Sequence, residues 1–390
     1  MDLGLIALIF FAALLGPALS LLTHGAVPAV VGQLLAGVIL GKTALRIVDP
    51  GKSDLALLYQ LGFATLMFAV GMQVPLHDRR LRPALRSGAI AVALAVPLAL
   101  ATGLATHMVG GGPALIYAVV LVSSSAAVAL PIIEETGLEG PTILTAMAWI
   151  TIADVLATLA IPLAIDPSRA DHAALGVLVV AALVLLVFAA ADRLRRLDAV
   201  QRMRKEGKRR GWAIDLRFAV LALVTLAFVA QEVGASILVA GFGTGLVVGA
   251  IGGPKRLSRE VLGLGQGFLI PLFFVLLGAK LNLRELGSDD AVALALLLAA
   301  GTIAVHLLVS VAIRLPRATG LLASAQMGVP AAVIALGLPE HTLNQGQASA
   351  IFCAALVTIA ACATGSAILG RRGEAGQTQA QAVGPPLPSP

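Results

Sequence analysis

The chain has 390 residues, of which 58% are hydrophobic and only 12% charged. A soluble domain carries about 25% charged residues, so this composition excludes a sizeable water-exposed domain and points to a polytopic membrane protein. The net charge of +6 does not call for nucleic acid, because the basic residues gather in loops between apolar runs. Two cysteines, Cys353 and Cys362, share one apolar segment and offer neither a disulfide framework nor metal-ligand spacing.

The N-terminal MDLGLIALIFFAALLGPALS lacks a basic leader and reads as a first membrane helix rather than a cleaved signal. Hydropathy predicts thirteen spans, in chain order Leu3–Leu22, Val27–Leu40, Leu55–Val74, Gly88–Met108, Ala114–Ile133, Thr142–Ile165, Ala173–Ala191, Ala213–Val229, Ala235–Ile251, Val261–Leu277, Ala291–Leu315, Gly320–Leu338 and Gln347–Leu369. This makes 1–370 a transmembrane domain. The segment 371–390, rich in Gln, Gly and Pro, is predicted to be a disordered tail. With the N-terminus outside, all but six of the 27 basic residues fall in cytoplasmic loops. The exceptions are Lys42, Arg46, Lys52, Arg169, Lys280 and Arg284. This asymmetry predicts an outside N-terminus and a cytoplasmic C-terminus. The Ala, Leu, Gly and Val bias suits a bacterial inner membrane.

The two halves of the chain repeat. LMFAVGMQVPL (Leu66–Leu76) matches LFFVLLGAKLNL (Leu272–Leu283), with Gly71 opposite Gly278; GAIAVA from Gly88 matches GTIAVH from Gly301; SAAVALPIIEET from Ser125 matches PAAVIALGLPEHT from Pro330. Each match pairs spans seven apart. Seven is odd, so the second copy runs through the membrane in the opposite direction. That predicts two inverted-topology repeats, about 1–165 and 213–370, around a linker helix at 173–191, a pattern that points to a transporter.

The fifth span carries Ser123, Ser124 and Ser125 in its middle and then Pro131; the twelfth carries Gln326, Gly328 and Pro330. Proline removes a backbone donor and glycine adds backbone freedom. Matching polar, breakable segments in two inverted halves predict helices interrupted near the bilayer midplane, with Pro131, Gly328 and Pro330 as break positions. Ordinary proline kinks and serine packing between helices are the competing reading.

The sixth span holds one carboxylate, Asp154, near its middle. An ionisable residue at the bilayer centre costs about 2.5–3.5 kcal/mol on insertion scales, which makes it a functional candidate. Thr151 and Thr158 lie on the same helix face. Asp154, Thr151, Thr158, Ser123, Ser124 and Ser125 are therefore the candidate oxygen ligands for a cation or a proton. Glu134, Glu135 and Glu340 follow the two breakable spans and form a candidate cation funnel, against the alternative of solvated loop charge. No nucleophile, base and orienting residue, and no metal cluster, stand together, so neither an enzyme nor a cofactor is expected.

Several of these stretches together resemble the monovalent cation:proton antiporter-2 family, the Kef-type and NapA-type sodium/proton exchangers. They are VPAVVGQLLAGVILGKTAL, LGFATLMFAVGMQV, LVSSSAAVALPIIEETGL, the Asp154 span and FLIPLFFVLLGAKLNL. The resemblance spans about Leu3 to Leu369. It implies an all-α, NhaA-like antiporter fold of about 13 transmembrane helices with two discontinuous crossed helices. It also implies a homodimer and elevator alternating access, with a cation (Na+ or K+) and H+ competing for Asp154. The residue before the essential aspartate is ordinarily polar or acidic; here it is Ala153. A single carboxylate predicts electroneutral exchange. The family often has a basic residue in the eleventh span, which makes His306 a candidate basic partner, with Lys280 a rival. A packing histidine and a lysine reaching the interface are the plainer readings. No nucleotide-binding fingerprint follows the last span, leaving room for a separate regulatory subunit and for the alternative of a channel-like K+ efflux protein or a sensor.

Overall fold

The computed structural model describes residues 3–23, 28–73, 82–167, 170–194, 196–212, 214–232, 237–250, 263–287 and 289–382. Helices are the only regular elements among the described residues. In chain order they are α1 (Leu3–Ala13), α2 (Leu15–Leu22), α3 (Ala29–Leu40), α4 (Ser53–Gln73), α5 (Arg82–Gly110), α6 (Ala114–Val122), α7 (Ala126–Glu135), α8 (Pro141–Ile165), α9 (Ala170–Leu194), α10 (Asp198–Arg210), α11 (Ile214–Glu232) and α12 (Ile237–Ala250). They continue as α13 (Ile270–Lys280), α14 (Asp289–Ala312), α15 (Arg317–Ala323), α16 (Gly328–Gly337) and α17 (Gln345–Ala382).

Seven helical stretches among the described residues are long and apolar enough to cross a membrane, and four shorter apolar ones accompany them. The chain is therefore a multi-pass membrane protein. Length and composition alone reach seven spans here rather than the thirteen expected from hydropathy, because several apolar segments are broken or short. A turn of π-helix at Gly265–Leu269 leads into α13, whose second residue is Pro271. A proline offers no N–H to the preceding turn, which widens there. Helix α17 continues to Ala382, past the Arg371 at which a disordered tail was expected; residues 383–390 lie outside the described residues. The inter-span loops with Arg79, Arg80, Lys255, Arg256 and Arg259 also lie outside them.

In two helix pairs, glycines on both partners would each set a Cβ within 2.2 Å of a facing carbonyl oxygen. In α3 against α13, a Cβ on Gly37 would come 2.0 Å from the Val275 carbonyl oxygen, and one on Gly278 would come 2.2 Å from that of Leu34. In α4 against α12, a Cβ on Gly71 would come 2.1 Å from the Phe242 carbonyl oxygen, and one on Gly245 would come 2.1 Å from that of Phe68. Backbones that approach this closely gain dispersion contacts along their whole length, which is how membrane helices associate where no hydrophobic force acts between them. Tyr59, Phe63, Phe273 and Phe274 fill the space beside these pairs with ring centroids 5.0–5.5 Å apart.

The fifth and twelfth apolar segments are interrupted. Residues 123–125 separate α6 from α7, and residues 324–327 separate α15 from α16. Pro131 lies inside α7. The first interruption is therefore at the three serines, not at the proline. Serine hydroxyls compete for backbone groups and offer the chain a way out of the helix: Ser123 Oγ donates to the Val120 carbonyl at 2.8 Å. Gly328 and Pro330 do flank the second break, as the first and third residues of α16. In a first turn the amide that proline lacks has no intrahelical partner anyway.

Candidate functional site

Helix α8 packs against α5, against both halves of the first interrupted segment (α6, α7) and against both halves of the second (α15, α16). Thr151, Asp154 and Thr158 lie on its buried face, at 9%, 5% and 3% exposure. The expected stripe thus faces other helices rather than lipid.

Asp154 Oδ2 accepts a hydrogen bond from the Ala126 backbone N–H at 3.1 Å. Ala126 is the first residue of α7, so its amide is one of those a helix leaves without an internal partner, and it sits at the positive end of the helix dipole. A hydrogen bond to a charged group contributes about 1.5–3 kcal/mol. That is the same order as the cost of a carboxylate at the bilayer centre. The break in the fifth segment therefore supplies what lets Asp154 stay where it is. One turn earlier, Thr151 Oγ1 is buried with no hydrogen-bond partner among the described residues.

The two interruptions are tied to each other. Ser124 Oγ donates to the Ala323 carbonyl at 2.6 Å, at the end of α15. From the other side, Gln326 Nε2 donates to the Val120 carbonyl, and lies 3.4 Å from the Ser123 carbonyl oxygen and 3.3 Å from Thr302 Oγ1. With its nitrogen facing three oxygens, the amide of Gln326 has one sensible orientation. Its Oε1 is then buried without a partner among the described residues. Asp154 and Gln326 hold opposite ends of the Ser123–Ser125 segment.

His306 on α14 completes the junction. It is fully buried and stacks on Trp149 of α8, with centroids 5.3 Å apart and planes 16° apart. Its Nδ1 lies 2.9 Å from the Thr302 carbonyl oxygen, so Nδ1 carries a proton. Its Nε2 lies 3.3 Å from Ser124 Oγ. When the Ser124 hydroxyl donates to Ala323, a neutral imidazole leaves no proton for this second contact. The serine proton then serves either the Ala323 carbonyl or Nε2, and both are satisfied together when Nε2 itself is protonated. Gly320 allows α15 to lie this close, since a Cβ there would come 2.6 Å from the His306 carbonyl oxygen.

The other expected residues fall apart from this centre or add little to it. Ser125 is buried, and its carbonyl accepts the Val128 and Ala129 amides, which starts α7. Lys280 belongs to a different set of contacts: its Nζ lies 3.7 Å from the centroid of the Tyr59 ring. Glu340 is exposed beyond α16. The side chains of Glu134 and Glu135 lie outside the described residues. Gln326, Thr302 and Trp149 were not among the expected site residues. Gln326 carried the signal that could have found it, an amide in the middle of an apolar run.

The Asp154 carboxylate, which among the described residues accepts only the Ala126 amide, and the unpartnered Thr151 Oγ1 and Gln326 Oε1 are all hard oxygens, and such oxygens suit a monovalent or hard divalent cation better than a transition metal. No group of three His, Cys, Asp or Glu residues gathers among the described residues.

Comparison with known proteins identifies the family. The family model described as "Sodium/hydrogen exchanger, transmembrane" matches residues 6–371. The putative Na(+)/H(+) antiporter YjbQ of Bacillus subtilis is 23% identical over 356 residues, covering 85% of this chain and 57% of that protein. A Na(+)/H(+) antiporter of Enterococcus hirae is 24% identical over 293 residues, covering 72% of this chain and 74% of that protein. NhaS5 of Synechocystis is 25% identical over 266 residues and is covered over only 36% of its length. The chain thus spans between about a third and three quarters of these relatives. The solved structure of the sodium proton antiporter MjNhaP1 from Methanocaldococcus jannaschii superposes with a TM-score of 0.62 at 18% identity, over 95% of this chain and 99% of that one; this likeness speaks for the fold. The chain belongs to the sodium/hydrogen exchanger family.

Proposed function

We propose that this member of the sodium/hydrogen exchanger family is a secondary antiporter, which exchanges Na+ or K+ for H+ at Asp154. The observation that carries the reading is the buried Asp154 carboxylate, bonded to the helix N-terminus at the break between α6 and α7. A carboxylate in an apolar interior holds either a proton or a partly dehydrated cation, not both. Competition for that one group enforces exchange. Thr151 Oγ1 and Gln326 Oε1, both buried and without partners, would complete an oxygen shell for the cation.

Ala153, beside Asp154, is fully buried and apolar, which leaves one carboxylate to titrate and favours one-for-one, electroneutral exchange. Alternating access then follows from movement of the α6–α8 and α14–α16 group against the rest. The inverted repeat has its support in the glycine pairs: Gly71 on Phe242 and Gly278 on Leu34 are the same contact made twice, as are Gly245 on Phe68 and Gly37 on Val275. On this reading α4 corresponds to α13 and α12 to α3, in line with the sequence repeat. The loop charges favour an outside N-terminus in a bacterial inner membrane, and a homodimer is the expected assembly.

The test is exchange in proteoliposomes under an imposed pH gradient, adding Na+, K+ or Li+ in turn and following internal pH. Cation-triggered pH change that disappears in Asp154→Asn is the expected result. Full activity in that variant would leave Asp154 structural. No response to any cation in folded wild type would turn the reading toward a channel-like or sensing protein on the same scaffold.

A further inference from the structure

We propose that the cavity at the turn between α14 and α15 binds an anionic phospholipid, whose phosphate is held by Arg314 and Arg317. The cavity measures about 580 Å³ and is walled by Val311, Leu315, Leu321 and Ile368, with the two arginines on its lining. It lies at the ends of membrane-crossing helices, and Val311 and Ile368 are exposed. An acyl chain leaving it would run along an apolar surface.

The local structure gives neither arginine a reason to be there. Arg314 has φ +60°, the left-handed region, just after the end of α14, where glycine is the ordinary occupant. A bulky side chain kept in a disfavoured backbone conformation points to a use for that side chain. The turn holds it firmly: the Leu315 amide donates to the Ser310 carbonyl at 2.8 Å, and Ser310 Oγ donates to the Pro316 carbonyl at 2.9 Å. Arg317 is the first residue of α15, where a positive charge opposes the helix dipole. Both side chains are exposed. Neither joins an ion pair among the described residues, and no carboxylate lines the cavity.

Two unpaired guanidinium groups beside an apolar hollow match a diacyl lipid with a phosphate headgroup. Planar forks bind phosphate bidentately, and basic pockets between membrane helices take anionic lipids. A free anion would gain nothing from the apolar wall. The position also gives the site a consequence. Helix α14 carries His306, and α15 ends in the carbonyl that Ser124 bonds, so an occupant at this turn braces the two elements that hold the interrupted segments. Binding itself does not depend on the antiport reading; its effect on exchange rests on that reading.

Native mass spectrometry of the detergent-solubilised full chain, titrated with phosphatidylglycerol or phosphatidylcholine, tests the binding. Wild type should retain phosphatidylglycerol at least about tenfold more strongly, a difference of about 1.4 kcal/mol. Arg314→Gly with Arg317→Gln should lose that preference while melting no lower than wild type, because glycine suits φ +60°. Arg317→Gln alone, at an exposed position, should lose most of the preference and covers the case in which the glycine variant does not fold. Equal preference in wild type and variants, no preference in wild type, or displacement of the lipid by soluble glycerol 3-phosphate would each overturn the proposal. In liposomes, exchange should rise with added phosphatidylglycerol for wild type and stay flat for Arg317→Gln. Absence of exchange in every lipid would count against the antiport reading and leave the mass-spectrometric result standing.

Discussion

Ser123 and Ser124 are adjacent and both buried, yet their substitution by alanine should have very different results. Ser124→Ala removes the 2.6 Å bond to the Ala323 carbonyl and the contact with His306 Nε2. No other donor reaches the Ala323 carbonyl among the described residues. A buried polar group left without its partner costs about 1–3 kcal/mol, whereas interhelical hydrogen bonds in membranes average about 0.6 and reach about 1.7 kcal/mol. The two ranges overlap at about 1–1.7 kcal/mol. At about 2–4 °C per kcal/mol, nearer the lower end for a chain this long, the melting temperature should fall by a few degrees. Ser123→Ala removes only the bond to the Val120 carbonyl, which still receives the Ser123 amide at 3.1 Å and Gln326 Nε2. That change leaves no group unpaired and should cost no more than about 0.6 kcal/mol. The assay is thermal unfolding of both variants in one detergent, followed by exchange in proteoliposomes. If the lost energy appears as misplacement of the interrupted segments, Ser124→Ala should slow exchange about tenfold, and Ser123→Ala should stay near wild type. Equal effects of the two variants, or a Ser124→Ala protein as stable and as active as wild type, would refute the claim that Ser124 joins the breaks.

Gly71→Ala and Gly278→Ala should each destabilise by about 1–3 kcal/mol through overpacking, since the new methyl would stand 2.1 and 2.2 Å from a facing carbonyl oxygen; a rise in melting temperature, as helix propensity alone predicts, would contradict the close approach. Gln326→Leu should raise the apparent KM for the transported cation more than it lowers kcat, with a stability loss near 1 kcal/mol, as measured by exchange at graded cation concentrations. Lys280→Met should cost about 0.5–2 kcal/mol of stability through the lost contact with the Tyr59 ring and leave exchange in place; loss of exchange with unchanged stability would make Lys280 a partner of the transported charge.

The residue types told much of the fold. Apolar run length, loop charge and the lone carboxylate are local properties, because the bilayer imposes one solvent on every segment and any polar exception must have a reason. Asp154 and its threonines could be found this way, and so could the breakable character of the serine run and of the Gln326–Pro330 stretch. What could not be read was which residue breaks the helix and what the broken ends touch. Proline is the stronger breaker in isolation, but Pro131 sits within α7, and the chain leaves the helix at the serines. Their freed groups find partners on α15 and α14, at residues separated by 199 and 182 positions in the chain.

His306 marks the same boundary. From sequence it was a candidate basic partner for the aspartate; in the fold it stacks on Trp149 and faces Ser124 and Thr302. Spacing along one helix fixes which side chains share a face, and hydropathy fixes which segments enter the membrane. Neither fixes which faces meet. That depends on how closely backbones can approach, as at Gly320 on His306 and Gly278 on Leu34, and on where an unpaired amide such as that of Ala126 is aimed. Run length and residue type alone mark a membrane protein with a carboxylate in mid-span; that a helix N-terminus meets this carboxylate depends on packing, because only packing brings α7 and α8 together.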